Sequence, residues 1–247
     1  MTNTILNSST PSQRLHEQLG QLIAETSPGE QLLSEPKLAK EFGVARATLR
    51  EAMRTFETQG LIHRRQGVGT FVVHPSQVIR SGLEVLESIH TLANRINLPV
   101  RMTTYEIEHG SANEKEIQVL KLMDGQQVMR VLWVMEAEGR PVAYLVDVLP
   151  DDVLGPKEID NDFNGSILDL LLRRGDLALT NSRTEVNAIA ARSDVARALG
   201  IQRRDVVLFF EATLYTAEGR PVDFSHSYFL PGYFRFHVNR QVGKGMS

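Results

Sequence analysis

The 247-residue sequence contains no cysteine. Disulfides, thiol nucleophiles and cysteine-held zinc are therefore excluded. Its seven histidines (His16, His63, His74, His90, His109, His226 and His237) form no HxxxH or HExxH spacing, so no metal site is expected and no cofactor is implied. No apolar run approaches the length of a membrane span, and no secretory leader is visible, which points to a cytoplasmic protein without a membrane partner. Charge of one sign is also lacking. The net charge is −3, residues 1–76 hold eight Lys/Arg against seven Asp/Glu, and residues 77–247 hold nineteen against twenty-three. So weak an imbalance does not by itself advertise nucleic-acid binding.

What is present begins at residues 32–72, LLSEPKLAKEFGVARATLREAMRTFETQGLIHRRQGVGTFV. Leu49, Ala52, Met53 and Phe56 recur at i, i+3, i+4 and i+7 and make one apolar helical stripe. Arg46, Arg50 and Arg54 recur every four residues on another face. A shorter helix precedes, near residues 34–41, with Ser34 as a plausible N-cap and Pro36 in the first turn. Phe42-Gly43-Val44 reads as the turn between the two, and Gly60 ends the second helix. Residues 61–65 and 70–73 then read as two strands joined by Gln66-Gly67-Val68-Gly69. A helix, a tight turn, an arginine-bearing helix and a glycine-tipped hairpin are the elements that place one helix in the DNA major groove with a wing beside it. The rival reading of the arginine row is a solvated face. Gly67-Val68-Gly69 as a phosphate loop lacks both the third glycine of a dinucleotide fingerprint and the lysine of a P-loop.

Residues 30–73 resemble the winged helix-turn-helix of the GntR transcription regulators, whose signature LPSERELAEQFGVSRTTVREAL, GLI, GxGTFV stands here as LLSEPKLAKEFGVARATLREAM, GLI, GVGTFV. The resemblance implies double-stranded DNA as partner. The family's major-groove arginines match Arg46 and Arg50, its recognition-helix threonine Thr48 and its wing glycine Gly67, which implies that the wing enters the adjacent minor groove; Lys37, Arg54, His63, Arg64, Arg65 and Gly69 complete the candidate DNA contacts. Leu33, Pro36, Ala45 and Ala47 depart from the pattern, and each removes a polar contact or a cap. Weaker or differently spaced operator contacts are therefore expected. A lost cap costs typically ~1 kcal/mol.

The second half carries an internal repeat. Ala137-Glu138-Gly139-Arg140-Pro141-Val142 recurs as Ala217-Glu218-Gly219-Arg220-Pro221-Val222, 80 residues later. Each copy lies between two apolar strands, 128–135 and 142–149 or 206–215 and 222–229, with a short helix upstream near 113–120 or 193–199. A further strand is expected at 183–190 and a helix at 165–174. Two such units can pair into one antiparallel sheet with helices covering one side. Residues 1–73 are thus expected as the DNA-binding domain, with a polar, unstructured start, residues 74–82 as a linker, and 83–241 as the second domain. That domain should open with a helix bearing Leu83, Leu86, Ile89 and Ala93 on one side.

Residues 80–240 resemble the effector-binding (UTRA) domain of the HutC subfamily, a fold shared with chorismate lyase. The overall fold class implied is α+β: a winged helix-turn-helix followed by a chorismate-lyase-like antiparallel sheet. Candidate effector contacts are Arg130, Trp133, Tyr144, Glu185, Asp223, Ser225 and Tyr228. Alternation places Asp223, Ser225 and Ser227 on one strand face and Phe224, His226 and Tyr228 on the other. Asp223 matches a position that is usually acidic and ligand-facing in the family. Arg130, a charge inside an apolar strand, is either a pocket residue or structurally paired. Trp133 and Met135 stand where sugar-phosphate sensors carry an Arg-x-Arg clamp, and Leu145 where a polar residue is common. A weakly charged or neutral effector follows, with Trp133 stacking on it; plain core packing is the rival for Trp133 and Met135. The resemblance implies a homodimeric, ligand-controlled repressor on a palindromic operator. Two rivals are a lyase-like enzyme, against which residues 80–240 show no nucleophile–base pair, and an effector-free DNA binder.

Overall fold

A computed structural model describes residues 10–58, 60–65, 67–73, 78–155, 158–159, 163 and 165–240. The chain divides into two compact units, Met1–Val78 and Ile79–Ser247.

The first unit packs three helices, α1 (Pro11–Glu25), α2 (Glu35–Glu41) and α3 (Arg46–Thr58), around one core. A capping box starts α1: the Thr10 hydroxyl accepts the Gln13 backbone N–H at 3.2 Å, and the Gln13 side chain accepts the Thr10 N–H at 2.8 Å. Leu15, Leu19 and Ile23, one turn apart, meet Leu38, Leu49, Met53 and Phe56. The apolar stripe of α3 is thus buried as its spacing requires. Ser34 precedes α2 in an extended conformation but makes no side-chain cap bond. Gly43, at φ +66°, makes the left-handed turn into α3. Strands β1 (Ile62–Arg65) and β2 (Gly69–Val72) then form an antiparallel hairpin with Arg65 opposite Gly69. Residues 29–32 add a third extended segment. Gly29 N–H donates to Val72 C=O, Val72 N–H to Glu30 C=O and Leu32 N–H to Thr70 C=O, at 2.8–2.9 Å.

The second unit contains β3 (Ile79–Gly82), α4 (Ile89–Arg95), β4 (Val100–Ser111), α5 (Glu114–Leu120), β5 (Gln127–Ala137) and β6 (Arg140–Pro150). It continues through α6 (Ile167–Arg174), β7 (Leu179–Ala190), α7 (Ser193–Leu199), β8 (Val206–Thr216), β9 (Pro221–Phe229) and β10 (Phe234–His237). Six strands make one antiparallel sheet in the order β4-β5-β6-β9-β8-β7. The sequence repeat is therefore the central part of a larger one. The run α4-β4-α5-β5-β6 recurs as α6-β7-α7-β8-β9, and the two halves meet where β6 pairs with β9.

Three expectations are corrected. Residues 79–82, expected in the linker, form β3, which pairs in parallel with β10; residues 74–77 lie outside the described residues. The helix expected from Leu83 begins only at Ile89. Leu83 N–H still donates to His237 C=O at 2.9 Å, residues 83–85 then bend, and the Ser88 hydroxyl caps α4 by accepting the Thr91 N–H. Leu83 and Leu86 are left 43 % and 48 % exposed. Helices also lie on both faces of the sheet rather than one. Ile89 and Leu92 of α4 adjoin Phe210 and Phe229, whereas α5 sets Lys115 over the Phe224 ring and packs Leu120 on Val128 and Val148.

Register assigns each strand residue to a face. Trp133 lies opposite Leu145, Asp147 opposite Ser225, and Ser227 opposite Phe210. Trp133, Leu145, Asp147, Asp223, Ser225 and Ser227 therefore share one face, here face one. Arg130, Tyr144, Glu185, Glu211, His226 and Tyr228 share face two.

Candidate functional site

In the first unit, one cleft gathers basic residues from two elements. About 450 Å³ in volume, it lies between the starts of α2 and α3 and the wing, and is lined by Glu35, Arg46, Arg50, Arg64, Arg65 and Gly67–Gly69 among others. Its organiser is Glu35. One carboxylate oxygen accepts Arg50 Nε at 2.7 Å and the other accepts Arg64 Nη2, tying the arginine helix to the wing. Arg65 lies over the Phe71 ring, 5.3 Å from its centroid. At Gly69 the backbone is at φ +150° and an added Cβ would lie 2.0 Å from Gln31 Nε2, an atom that donates to Val68 C=O at 2.9 Å. Gly69 is thus favoured by its backbone conformation, and a Cβ there would displace the flexible end of Gln31 from the Val68 carbonyl. Lys37, Arg46 and Thr48 are exposed, and Arg54, one turn beyond Arg50 along α3, is half-buried. His63 is 8 % exposed, so it lies within the body of the unit and not on the surface expected for a DNA contact.

In the second unit, face one holds two buried carboxyl groups side by side. Asp147 Oδ2 accepts the Trp133 indole N–H at 3.2 Å. Asp223 accepts the Val148 backbone N–H, and its Oδ1 is buried without a hydrogen-bond partner. Desolvation pushes the Asp147 carboxyl up to about 7 against the weaker opposing effect of the indole N–H. Desolvation and then the charge of Asp147 hold Asp223 well above the ordinary carboxylate range. Gly165, at φ +92°, brings backbone onto the indole, since a Cβ there would lie 3.2 Å from the Trp133 ring and 3.1 Å from Met102 Sδ. Nearby, the Ser88 hydroxyl donates to Asp169 Oδ2 at 2.7 Å, and Ser166 caps α6 by accepting the Asp169 N–H.

Residues 97–235 match the profile of the UTRA domain, and residues 11–72 match that of the bacterial regulatory proteins of the gntR family. The chain belongs to the GntR family. As a GntR regulator of HutC type it is a DNA-binding transcription regulator with a UTRA effector-binding domain. It is 26 % identical over 214 residues to the HTH-type transcriptional repressor NagR of Bacillus subtilis (strain 168), covering 86 % of each chain. To the histidine utilization repressor of Pseudomonas putida it is 28 % identical over 185 residues, covering 73 % of this chain and 71 % of the relative. Its fold matches the crystal structure of PhnF from Mycobacterium smegmatis at a TM-score of 0.61 and 21 % identity, over 93 % of this chain and 100 % of that one.

For this GntR regulator the expected effector contacts divide between opposite faces, so no single small molecule touches them all. Trp133, Asp223 and Ser225 come together on face one. Arg130 is on face two, where its Nη2 and Nε donate to Glu116 at 2.6 and 2.9 Å; of the two readings open in sequence, structural pairing is the one observed. That pairing raises the Arg130 guanidinium further above its ordinary value. Tyr144 and Tyr228 stack on each other on face two, with centroids 5.8 Å apart. Glu185 points from edge strand β7 and pairs with Arg183 at 3.0 Å, its side chain 59 % exposed. Sequence reasoning missed Glu35 and Asp147. Asp147 had a legible signal, a lone carboxylate in the apolar run Leu145-Val146-Asp147-Val148. Glu35 had none, because its role depends on β1 folding back beside α2.

Proposed function

We propose that this regulator binds a palindromic operator as a homodimeric repressor in the cytoplasm and is released by a small molecule seated on face one. The observation that carries the DNA-binding half is the convergence of Arg46, Arg50, Arg64 and Arg65 on one cleft. Arg46, Thr48 and Arg50, at the start of α3, are the base- and phosphate-reading group; Lys37, Arg64, Arg65, Gly67 and Gly69 follow the backbone. A net charge of −3 is no obstacle, because the basic groups are local and the acidic excess belongs to the other unit. The relatives named as repressors support the sign of regulation.

Dimerisation is supported by the second unit. A groove of about 390 Å³ beside edge strand β7 is lined by the exposed apolar side chains of Leu83, Val85, Leu86 and Val186 over a floor of Phe210, Phe229 and Phe236. Exposed apolar residues gathered beside an unpaired strand edge suit a second copy. For the effector, Trp133, Asp147, Asp223 and Ser225 form the contact group. A ligand changes operator affinity only by binding the two arrangements of the protein unequally. The experiment is a melting-temperature panel of metabolites on the full chain, with each hit then added to the protein–operator complex. A ligand at a hundred times its Kd adds ~2.7 kcal/mol of stability. A hit that stabilises the second unit and lowers operator affinity is the expected result. Hits that leave operator affinity unchanged would contradict the effector role.

A further inference from the structure

Among the described residues, face one carries buried acid without a matching base. Asp147 and Asp223 stand on adjacent, hydrogen-bonded strands with their side chains on the same side, since Asp147 pairs with Ser225, two residues along β9 from Asp223. Each accepts one hydrogen bond from the protein, from the Trp133 indole and the Val148 backbone, and Asp223 Oδ1 accepts none. Among the described residues, no arginine or lysine is among the groups that act on either carboxyl. A third carboxylate, Asp169, occupies the starts of α4 and α6 through Ser88 and its own backbone N–H. The register sets Val131 opposite Asp147 and Leu214 opposite Asp223, with Trp133, Leu145 and Ser225 alongside on the same face.

We propose that this face receives the positively charged head of an organic effector, a guanidinium, amidinium or ammonium offering at least two N–H donors, laid between the Asp147 and Asp223 carboxylates with its neighbouring carbon atoms against Trp133. The inference rests on the effector-site reading above and gives that site its ligand class. A planar cation with paired donors satisfies the orphaned Asp223 oxygen and completes Asp147. A phosphate or carboxylate in the same place would meet two carboxyl groups and no described cation. Without the cation, the adjacent buried carboxyls hold up to two protons, and Asp147 gives up its own only near pH 7. Entry of the cation makes both carboxylates acceptors and releases to solvent the protons the pair still holds, more at pH 6 than at pH 8, so charge and protons balance.

The chain has one tryptophan, so the Trp133 indole N–H gives a single reporter at the site itself. The experiment follows that N–H signal by ¹⁵N NMR on the full-length protein while methylguanidinium, methyl phosphate or glycerol is added, at pH 6 and pH 8. A saturable shift with methylguanidinium alone, severalfold tighter at pH 8 than at pH 6, is the expected result. Asp147→Asn and Asp223→Asn, each keeping shape and a hydrogen-bonding oxygen, should each weaken it at least tenfold while leaving the melting transition cooperative. A shift with methyl phosphate or glycerol but not with methylguanidinium overturns the ligand class and leaves the effector site standing. An affinity equal at the two pH values, or untouched in both variants, overturns the role of the carboxyl pair. If a metabolite releases operator DNA without moving the Trp133 signal, the effector-site reading fails, and this inference fails with it.

Discussion

Replacing Asp147 by asparagine tests the physical account of face one through stability alone. The carboxyl's ordinary value is 3.8, and burial pushes it up to about 7 in the fold. At 1.36 kcal/mol per pH unit, ionising it in place costs on the order of 4 kcal/mol. The sign follows from linkage. A group that holds its proton more tightly when folded stabilises the fold fully below its unfolded value, and that contribution is lost as pH rises through the folded value. The native protein should therefore lose stability between about pH 4 and pH 8. In the Asp147→Asn variant the amide would be neutral throughout and would still accept the Trp133 N–H. The variant should match the native protein near pH 4 and exceed it by on the order of 4 kcal/mol at pH 8, with relaxation lowering the figure. In a unit of this size that is roughly 8–16 °C in Tm. Urea unfolding followed by Trp133 fluorescence reports this unit specifically, because the chain has no other tryptophan. Parallel pH curves for the two proteins, or a variant less stable at pH 8, would refute the reasoning.

Other outcomes follow from the same contacts. Glu35→Gln leaves Arg50 and Arg64 without their shared anion; binding to random-sequence DNA should strengthen and the ratio of specific to non-specific affinity should fall, measured by fluorescence anisotropy across salt concentrations. An unchanged ratio would mean that Glu35 does not orient the arginines. Gly69→Ala forces Gln31 off the Val68 carbonyl at a positive φ, a strain of roughly 1–3 kcal/mol, and operator affinity should drop with the distorted wing. Arg130→Met strands Glu116, whose side chain is 6 % exposed, and should destabilise the second unit by ~2–4 kcal/mol in urea titrations. Because Arg130 lies on face two, the effector response of the folded variant should stay normal. A lost response would return Arg130 to the effector site.

Legibility in the sequence followed the range of the interactions. The α3 stripe of Leu49, Met53 and Phe56, the Gly43 turn and the two Gly-Arg-Pro hairpins are local patterns, and all appear where the spacing puts them. The α+β class and the GntR and UTRA assignments were equally legible, because they rest on long motif matches. Strand β3 was not legible, since Ile79–Gly82 becomes a strand only by pairing with residues about 155 positions away. The first half of the helix expected from Leu83 failed for the same reason: Leu83 and Leu86 line a groove, and only Ile89 and Ala93 lie on α4. Alternation correctly separated Asp223 and Ser225 from Tyr228 within β9. It could not relate β5 to β9, which needs the register of β6 between them, so candidates from opposite faces were joined in one expected site.

The central claim, that α3 and the wing read an operator, is tested most directly by selecting DNA from a random-sequence pool with the full-length protein and with Arg46→Ala and Arg50→Ala. The native protein should enrich a palindromic sequence. Each variant should bind it more weakly by roughly 1–3 kcal/mol and relax the sequence preference at one position in each half-site. Enrichment of no consensus, or variants that bind the selected sequence with native affinity and preference, would contradict the account.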